Sequence, residues 1–265
     1  MLPFNQWTHL TTEDFSGGRF ADTLAVLPVA AVEQHGPHLP LGTDVFIMEG
    51  YLARVAALLD GAAPALFLPV QPIGLSNEHL AFKGTLTLAP ETAIRVWTDV
   101  GESLHRAGCR KLVIVSSHGG NSPVIDIVAR DLRARLNMLT VTVSWQRFGY
   151  PDGLFDTQEI RHGIHGGDIE TSLMLAFRPD LVRMERARDF TPLSVALAER
   201  YRYLSAGRPA GLGWMAQDLH PAGAIGNAAP ATAQKGEAAA VHGARAFIDL
   251  LAEVRDFELP AAEGH

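Results

Sequence analysis

A short segment rich in proline and glycine carries several side chains that could bind a metal ion. It reads EQHGPHLPLGTD, spans residues 33–44, and contains Glu33, His35, His38 and Asp44. It follows the apolar run TLAVLPVA, residues 23–30, so these side chains come directly after a predicted buried strand. Carboxylate oxygens and imidazole nitrogens are ligands of zinc and manganese. A polar turn that happens to contain histidine is the alternative interpretation.

The spacing of Glu33 and His35 favours two metal ions over one. In extended backbone, residues two apart point to the same side with Cα atoms roughly 7 Å apart, while Gln34 is expected to face away. Metals in two-metal hydrolytic sites lie about 3.5–4 Å apart, so each side chain could hold one of them. The two oxygens of Asp44 could bridge both ions, although an aspartate at a helix start is also a common N-cap.

A second cluster, SSHGGNSP at residues 116–123, places His118 at the end of a predicted strand. The two glycines that follow allow close approach of the backbone, which suits a histidine ligand. The alternative is a phosphate-binding loop at a helix N-terminus. That alternative lacks the lysine of the GxxxxGK motif, which makes a metal ligand the favoured interpretation.

The third cluster, HGIHGGDIETS at residues 162–172, carries His165 and Glu170 at the start of a predicted helix. Acidic residues in a first helical turn are expected from the helix dipole alone, so Asp168 is as compatible with a surface position as with a site. Three carboxylates in one pocket need cations to stay ionised together. We therefore predict one site for two divalent ions, with the ligands Glu33, His35, Asp44, His118 and Glu170.

The elements that must position these residues alternate between strands and helices. Continuous apolar runs predict strands at 23–30, 65–70, 111–117 and 139–145, and helical periodicity predicts helices at 45–59, 90–108, 121–135, 166–177 and 235–257. This order is typical of an α/β fold with a mostly parallel sheet covered on both faces. In such sheets ligands bind beyond the carboxyl ends of the strands, where the clusters fall. We expect one domain over residues 1–265, with a functional loop region at about 201–230.

Composition excludes several classes of function. The 265 residues carry a net charge of −7 without a cluster of Lys and Arg, which argues against a nucleic-acid partner. No apolar run approaches the ~20 residues of a membrane span, and the first residues lack the pattern of a signal peptide. We therefore expect a cytoplasmic protein without a membrane partner. The single cysteine, Cys109, excludes an intrachain disulfide framework and is predicted to be a buried structural thiol.

The strings EQHGPHLPLGTD, SNEHLAFKGTLTL, SSHGGN, IHGGDIETSLML and GAIGNAAPATAQKGE resemble the creatininase family over about residues 8–250. The resemblance implies a three-layer α/β/α fold, a dinuclear centre of zinc or manganese, with iron also possible, and a homo-oligomer that is commonly a hexamer. It implies that Glu33, Asp44 and His118 hold one ion, and that His35 and Glu170 hold the other, with Asp44 bridging. It also gives His165 a role in proton transfer.

One departure from the family pattern bears on the substrate. Creatininase itself has a glutamate two residues after the motif histidine, where this chain has Gly120. Glu170 is then the candidate carboxylate for the second ion, and creatinine is a doubtful substrate. A cyclic amide, a formamide or a small peptide-like molecule stays possible, and the motifs do not choose among them.

The predicted activity is hydrolysis of a C–N amide bond. A hydroxide that bridges the two ions would attack the carbonyl carbon, and His165 would deliver a proton to the leaving nitrogen. The alternative is a non-catalytic protein that binds a small ligand and keeps one structural ion. A phosphate-dependent transferase built on the His118 loop would require anion binding without metal. The number of ions in the purified chain separates these hypotheses.

Overall fold

Four parallel strands form the central sheet of the computed structural model, which describes residues 6–16, 20, 23–59 and 65–259. The strands are β1 (Leu24–Val29), β2 (Ala65–Phe67), β3 (Lys111–Ser116) and β4 (Leu139–Ser144), in the order β2-β1-β3-β4. In this register Leu24 lies beside Ala65 and Lys111, and Lys111 lies beside Leu139. All four predicted strands are therefore present, although β2 ends three residues earlier than predicted.

Eight α-helices connect and follow these strands in the described part of the chain. They are α1 (Thr43–Leu58), α2 (Pro90–Arg106), α3 (Ser122–Leu136), α4 (Thr157–His162), α5 (Asp168–Phe177), α6 (Leu193–Arg200), α7 (Ala216–Leu219) and α8 (Ala233–Asp256). There are also two small two-stranded sheets. In one, β5 (Asp189–Phe190) pairs antiparallel with β8 (Gly226–Asn227), and in the other β6 (Leu204–Ser205) pairs parallel with β7 (Ala210–Gly211). The region predicted as a loop at 201–230 thus contains short strands and α7.

The two faces of the sheet are covered by different helices. Val26 and the β1 residues that share its face pack against α1, α5 and α8, whereas Leu27 and its neighbours on the other face pack against α2 and α3. Every residue of β1 and β3 is buried, as the continuous apolar runs predicted. The three-layer α/β/α prediction is confirmed. Within the described part of the chain, none of the helices is long and apolar enough to cross a membrane.

Two helix starts differ from their predictions. Helix α1 begins at Thr43 after the cap residue Gly42, so Asp44 lies inside the first turn and is not the N-cap. Helix α3 begins at Ser122, one residue later than predicted, because residues Gly119–Asn121 form a 3-10 turn and Asn121 takes the N-cap position. The Asp44 carboxylate therefore does not cap its own helix and is available to the interior.

The N-terminus of α5 is satisfied from another helix. Its cap position is Gly167, which has no side chain, and the Glu159 carboxylate of α4 accepts hydrogen bonds from the backbone N–H groups of Asp168 and Ile169. Glu159 also accepts from Asn227 N of β8 at 2.9 Å. A carboxylate at a helix N-terminus is favourable by hydrogen bonding and by the helix dipole. Glu159 thus fixes the helix start that carries Glu170.

Asp168 is not the surface group that the dipole argument allowed. It is 1% exposed, and its carboxylate pairs with Lys235 Nζ at 2.6 Å and accepts from Ser172 Oγ at 2.9 Å. This ion pair ties α5 to the first turn of α8.

Helices α5 and α8 approach so closely that one contact point admits only glycine. A Cβ atom on Gly236 would overlap the backbone carbonyl of Ser172. We expect Gly236→Ala to destabilise the protein by roughly 1–3 kcal/mol, the usual cost of overpacking, because neither backbone can yield without moving a helix. Urea unfolding measures this, with Gly207→Ala as control, since a Cβ at Gly207 meets no atom within 4 Å. Equal stability of the two variants would contradict the prediction.

Candidate active site

All five predicted ligand side chains converge at the carboxyl edge of the sheet. The segment after β1 contributes Glu33 and His35, the end of β3 contributes His118, and the first turns of α1 and α5 contribute Asp44 and Glu170. The first four are buried, and the Glu170 side chain is 20% exposed. The loop that returns the chain to Asp44 is closed by a backbone hydrogen bond from Glu33 N to Leu41 O at 2.9 Å.

The Asp44 carboxylate lies between two groups of potential ligands. Its Oδ1 is 3.8 Å from His35 Nε2, and its Oδ2 is 3.7 Å from His118 Nδ1. On the first side, His35 Nε2 is 3.7 Å from Glu170 Oε2. On the second side, His118 Nδ1 is 3.2 Å from Glu33 Oε1. One oxygen of Asp44 therefore faces each group, as a carboxylate that bridges two cations must do.

Backbone carbonyls orient both histidine rings. His35 Nδ1 lies 3.0 Å from Glu33 O, and His118 Nε2 lies 2.8 Å from Leu75 O. Because a carbonyl oxygen only accepts, each of these ring nitrogens must donate, so in the neutral rings the lone pairs lie on His35 Nε2 and on His118 Nδ1. Those are the atoms that face the carboxylates. This arrangement is typical of metal-binding histidines, whose second nitrogen donates to a carbonyl or carboxylate.

Several buried polar atoms of the cluster have no hydrogen-bond partner among the described residues. They are both carboxylate oxygens of Glu33, Nε2 of His35 and Oδ2 of Asp44. Buried polar atoms are normally paired, and each unpaired one costs about 1–3 kcal/mol. The ligand atoms of Glu33, His35 and Asp44 all lie within 4.8 Å of one another, as do those of His35, His165 and Glu170. The cluster therefore fits divalent cations in both chemistry and distance.

The charges in the cluster also call for a cation. Burial raises the pKa of Asp44 well above its ordinary value, and the nearby Glu33 carboxylate raises it further. Burial lowers the pKa of His118, but the carboxylates of Glu33 and Asp44 outweigh burial and raise it to about 10. Burial lowers the pKa of His35 well below its ordinary value, so that this ring is neutral. The carboxylates thus need positive charge, from a proton on His118 or from metal ions.

His165 lies beside both groups of ligands. Its Nε2 lies 2.6 Å from the backbone carbonyl of Gln34 and must donate to it, so Nδ1 carries the lone pair in the neutral ring. That Nδ1 is 3.6 Å from Glu33 Oε1, and the ring centroid is 4.0 Å from that of His35. A lone pair held next to the metal-binding atoms can accept a proton and return it.

Gln34 and His79 lie beside the predicted ligands, although neither was predicted as a ligand. The expectation that Gln34 faces away is wrong, because its amide Nε2 lies 2.7 Å from His79 Nδ1 and donates to Gly223 O at 3.0 Å. Since the amide donates to His79 Nδ1, the proton of this ring lies on Nε2, which is 3.2 Å from Glu33 Oε1. His79 Nε2 therefore faces the Glu33 carboxylate, although the two do not form a hydrogen bond.

Glu78 was not singled out in the sequence, although it lies in the segment SNEHLAFKGTLTL. Its Oε1 is 3.6 Å from His118 Nε2. A Cβ atom on Gly120 would lie 2.6 Å from both Glu78 Oε1 and Leu75 O. The space above Gly120 is therefore occupied, which explains why a larger residue does not fit at this position.

His38, His162 and Cys109 have structural contacts. His38 Nε2 lies 3.0 Å from Thr171 Oγ1, and its ring stacks on Phe190. His162 Nδ1 lies 3.1 Å from Ser194 Oγ. Cys109 is fully buried, and burial raises the pKa of its thiol to about 11, as a structural cysteine requires.

Comparison with known proteins gives a consistent family. The family model described as "Creatininase: Creatinine amidohydrolase" matches residues 8–251. A creatinine amidohydrolase of Pseudomonas putida is 34% identical over 191 residues, which cover 64% of this chain and 70% of the relative. A mycofactocin precursor peptide peptidase of Mycobacterium ulcerans (strain Agy99) is 31% identical over 220 residues, or 80% and 77% of the two chains.

Solved structures show the same fold. A crystal structure of creatinine amidohydrolase (creatininase) superposes with a TM-score of 0.75 at 28% identity, covering 96% of this chain and 98% of that one. Two related creatininase structures are described by name as a Mn form and a Zn–Zn type. Because the family model matches more than half of the residues, this chain belongs to the creatininase family of hydrolases.

Proposed function

We propose that the chain is a dinuclear metal-dependent amidohydrolase that cleaves a C–N amide bond in a cyclic amide, a formamide or a small peptide-like molecule. The observation that carries the proposal is the position of Asp44, whose two oxygens face His35 on one side and His118 on the other. Family membership supports amide hydrolysis, and the mixed nitrogen and oxygen donors suit zinc or manganese.

Each ligand has a proposed place. Glu33 and His118 would hold one ion, His35 and Glu170 would hold the other, and Asp44 would contribute to both. The unpaired buried atoms of Glu33, His35 and Asp44 support this assignment. When bound, the ions lower the pKa of water toward neutrality and polarise a carbonyl oxygen.

The protein's own residues supply the proton transfer and the orientation. The His165 ring is held by the Gln34 carbonyl, and its Nδ1 accepts a proton from the attacking water and delivers it to the leaving nitrogen. An amide nitrogen leaves poorly unless it is protonated, so this transfer completes the cleavage. His79, which is held by the Gln34 amide, places its Nε2 beside the Glu33 carboxylate.

Metal content tests the proposal. We expect about two divalent ions per purified chain, and about one in Glu170→Gln, because glutamine replaces the carboxylate that lies 3.7 Å from His35 Nε2. Inductively coupled plasma mass spectrometry gives the count, with the exposed Glu49→Gln as the matched control. A wild-type chain with no ion, or with one, would contradict the dinuclear hydrolase and favour a small-ligand-binding protein with a structural ion.

The substrate and assembly proposals rest on relatives. One creatininase structure is described as a complex with creatine, which supports a small-molecule substrate for this chain. A homo-oligomer, and specifically a hexamer, stays a prediction that light scattering of the purified protein can test. The prediction of one domain over residues 1–265 also stays a prediction, since part of that range lies outside the described residues.

A further inference from the structure

Two cavities meet at the candidate active site. The first has a volume of about 450 Å³ and the second about 360 Å³, both within the range of small-molecule sites. Four residues line both of them: Gln146, Ile164, His165 and Glu170. A molecule cleaved beside His165 can therefore extend away from the metal ligands in two directions.

The wall of the first cavity is mainly apolar and aromatic. Its side chains include Ile47, Tyr51, Trp145, Tyr150, Ile169 and Leu173. The rings of Tyr51 and Trp145 are stacked, with centroids 4.2 Å apart and planes at 4°, so they form a flat and rigid surface. A dry cavity of about 150 Å³ holds benzene, so this larger cavity has room for a ring with its linker.

Two polar atoms on the residues of this wall lack partners. The hydroxyl of Ser117 and the indole N–H of Trp145 have no hydrogen-bond partner among the described residues. Buried groups of this kind are normally satisfied, and both can donate. Both atoms are themselves buried, so the group that occupies the cavity need not carry a partner for them.

The second cavity is lined by more histidines than the first. His79, His118 and His165 line it, whereas His165 is the only histidine among the described residues that line the first. Glu78, Glu170 and Trp214 also line the second cavity, and the indole N–H of Trp214 donates to Ala206 O at 2.8 Å. Because the proposed metal ions would offset the charge of Glu170, this cavity suits a polar, uncharged group.

We infer that the substrate is an amide substituted on both sides of the bond that is cleaved. An apolar, ring-sized group lies in the cavity formed with Tyr51 and Trp145, and a polar, uncharged group lies in the cavity formed with Glu78 and Trp214. This inference rests on the proposed function, because it places the scissile bond at His165. A compact molecule such as creatinine would occupy only the junction.

Two variants each narrow one cavity. Ile160 lines the first cavity and is 56% exposed, so Ile160→Trp places a larger side chain there without disturbing the core. Gly207 lines the second cavity, and Gly207→Leu enters open space. Ile127→Trp is the matched control, since Ile127 is 51% exposed on α3 and lines neither cavity.

The probes are phenylacetyl-glycinamide, acetyl-phenylalaninamide, acetyl-glycinamide and creatinine, titrated calorimetrically into the zinc-loaded protein. We expect at least one ring-bearing probe to bind roughly tenfold or more tightly than acetyl-glycinamide, which corresponds to about 1.4 kcal/mol. Ile160→Trp should remove most of that preference, and Ile127→Trp should retain it. Gly207→Leu should weaken the substituted amides more than creatinine.

Equal binding of ring-bearing and ring-free probes would overturn the inference, as would an equal loss for creatinine and the ring-bearing probes in Ile160→Trp. Product analysis by liquid chromatography keeps the two proposals apart. If the ring preference holds and two ions are bound, but no amide is cleaved, the proposed function fails while the assignment of the cavities stands. If amides are cleaved without any ring preference, only the inference about the cavities fails.

Discussion

Asp44→Asn is expected to remove hydrolysis and yet to make the metal-free protein more stable. The carboxylate faces both groups of ligands, so its loss should weaken the binding of both ions and lower kcat/KM on the order of 10³-fold or more. Without metal, the same carboxylate is a buried charge next to Glu33 with an unpaired oxygen. Replacing it should therefore stabilise the metal-free protein by roughly 1 kcal/mol or more.

The pH dependence of the metal-free protein has a definite sign. Burial and the Glu33 carboxylate raise the pKa of Asp44 well above its ordinary value of 3.8, so the folded state binds a proton more tightly than the unfolded state. The stability from this group is present below about 3.8 and is lost as pH rises through the higher folded-state pKa. Asp44→Asn should lack this loss.

Thermal unfolding with and without zinc, at several pH values, measures both effects of Asp44→Asn. The exposed Asp249→Asn on α8 is the matched control and should behave like wild type. If Asp44→Asn keeps two ions and full activity, the bridging role is wrong. If it destabilises the metal-free protein, the cluster is not strained by its charges.

His165→Ala is expected to separate catalysis from metal binding. The His165 ring is proposed to move the proton while other side chains hold the ions, so kcat should fall about 10²–10⁴-fold at nearly unchanged metal content. KM should change less, because the ring is not required for holding the carbonyl. Steady-state kinetics on any amide that the wild type cleaves, combined with metal analysis, measures this.

His162→Ala provides the control for that experiment. It removes a histidine three residues earlier, whose ring contacts Ser194 and lies outside the ligand set. Its activity should stay within a few-fold of wild type. If His165→Ala loses metal together with activity, then His165 is a ligand. If it keeps full activity, the proton passes through another group.

Much of the fold was predictable because the strands are buried on both faces. Such strands require continuous apolar runs, and these runs placed β1, β3 and β4 to within a residue or two. The helix starts were less predictable, because the cap of α3 depends on a 3-10 turn at Gly119 and the cap of α5 depends on Glu159 from a different helix. Local sequence carries no signal for a cap supplied across the fold.

The site was partly predictable for a similar reason. Glu33, His35 and His118 follow strands whose carboxyl ends share one edge, so their meeting could be anticipated. Glu78 and His79 lie in a single 3-10 turn after β2, Asn77–His79, which is too short to show a periodicity in the sequence. Gln34 was misjudged because strict alternation describes a strand, whereas the chain here has already left β1.

The hydrogen bond from Gln34 to Gly223 has a consequence for how the molecule is made. The Gly223 segment also pairs with His165, through Ile225 N to His165 O at 2.6 Å. Gln34, which is synthesised early, therefore reaches its final contacts only after Gly223 has been synthesised. A nascent chain that stops before Gly223 would bear the acidic side chains without the contacts that arrange them. Tight zinc binding is therefore expected only after the chain has been synthesised past Gly223 and has folded.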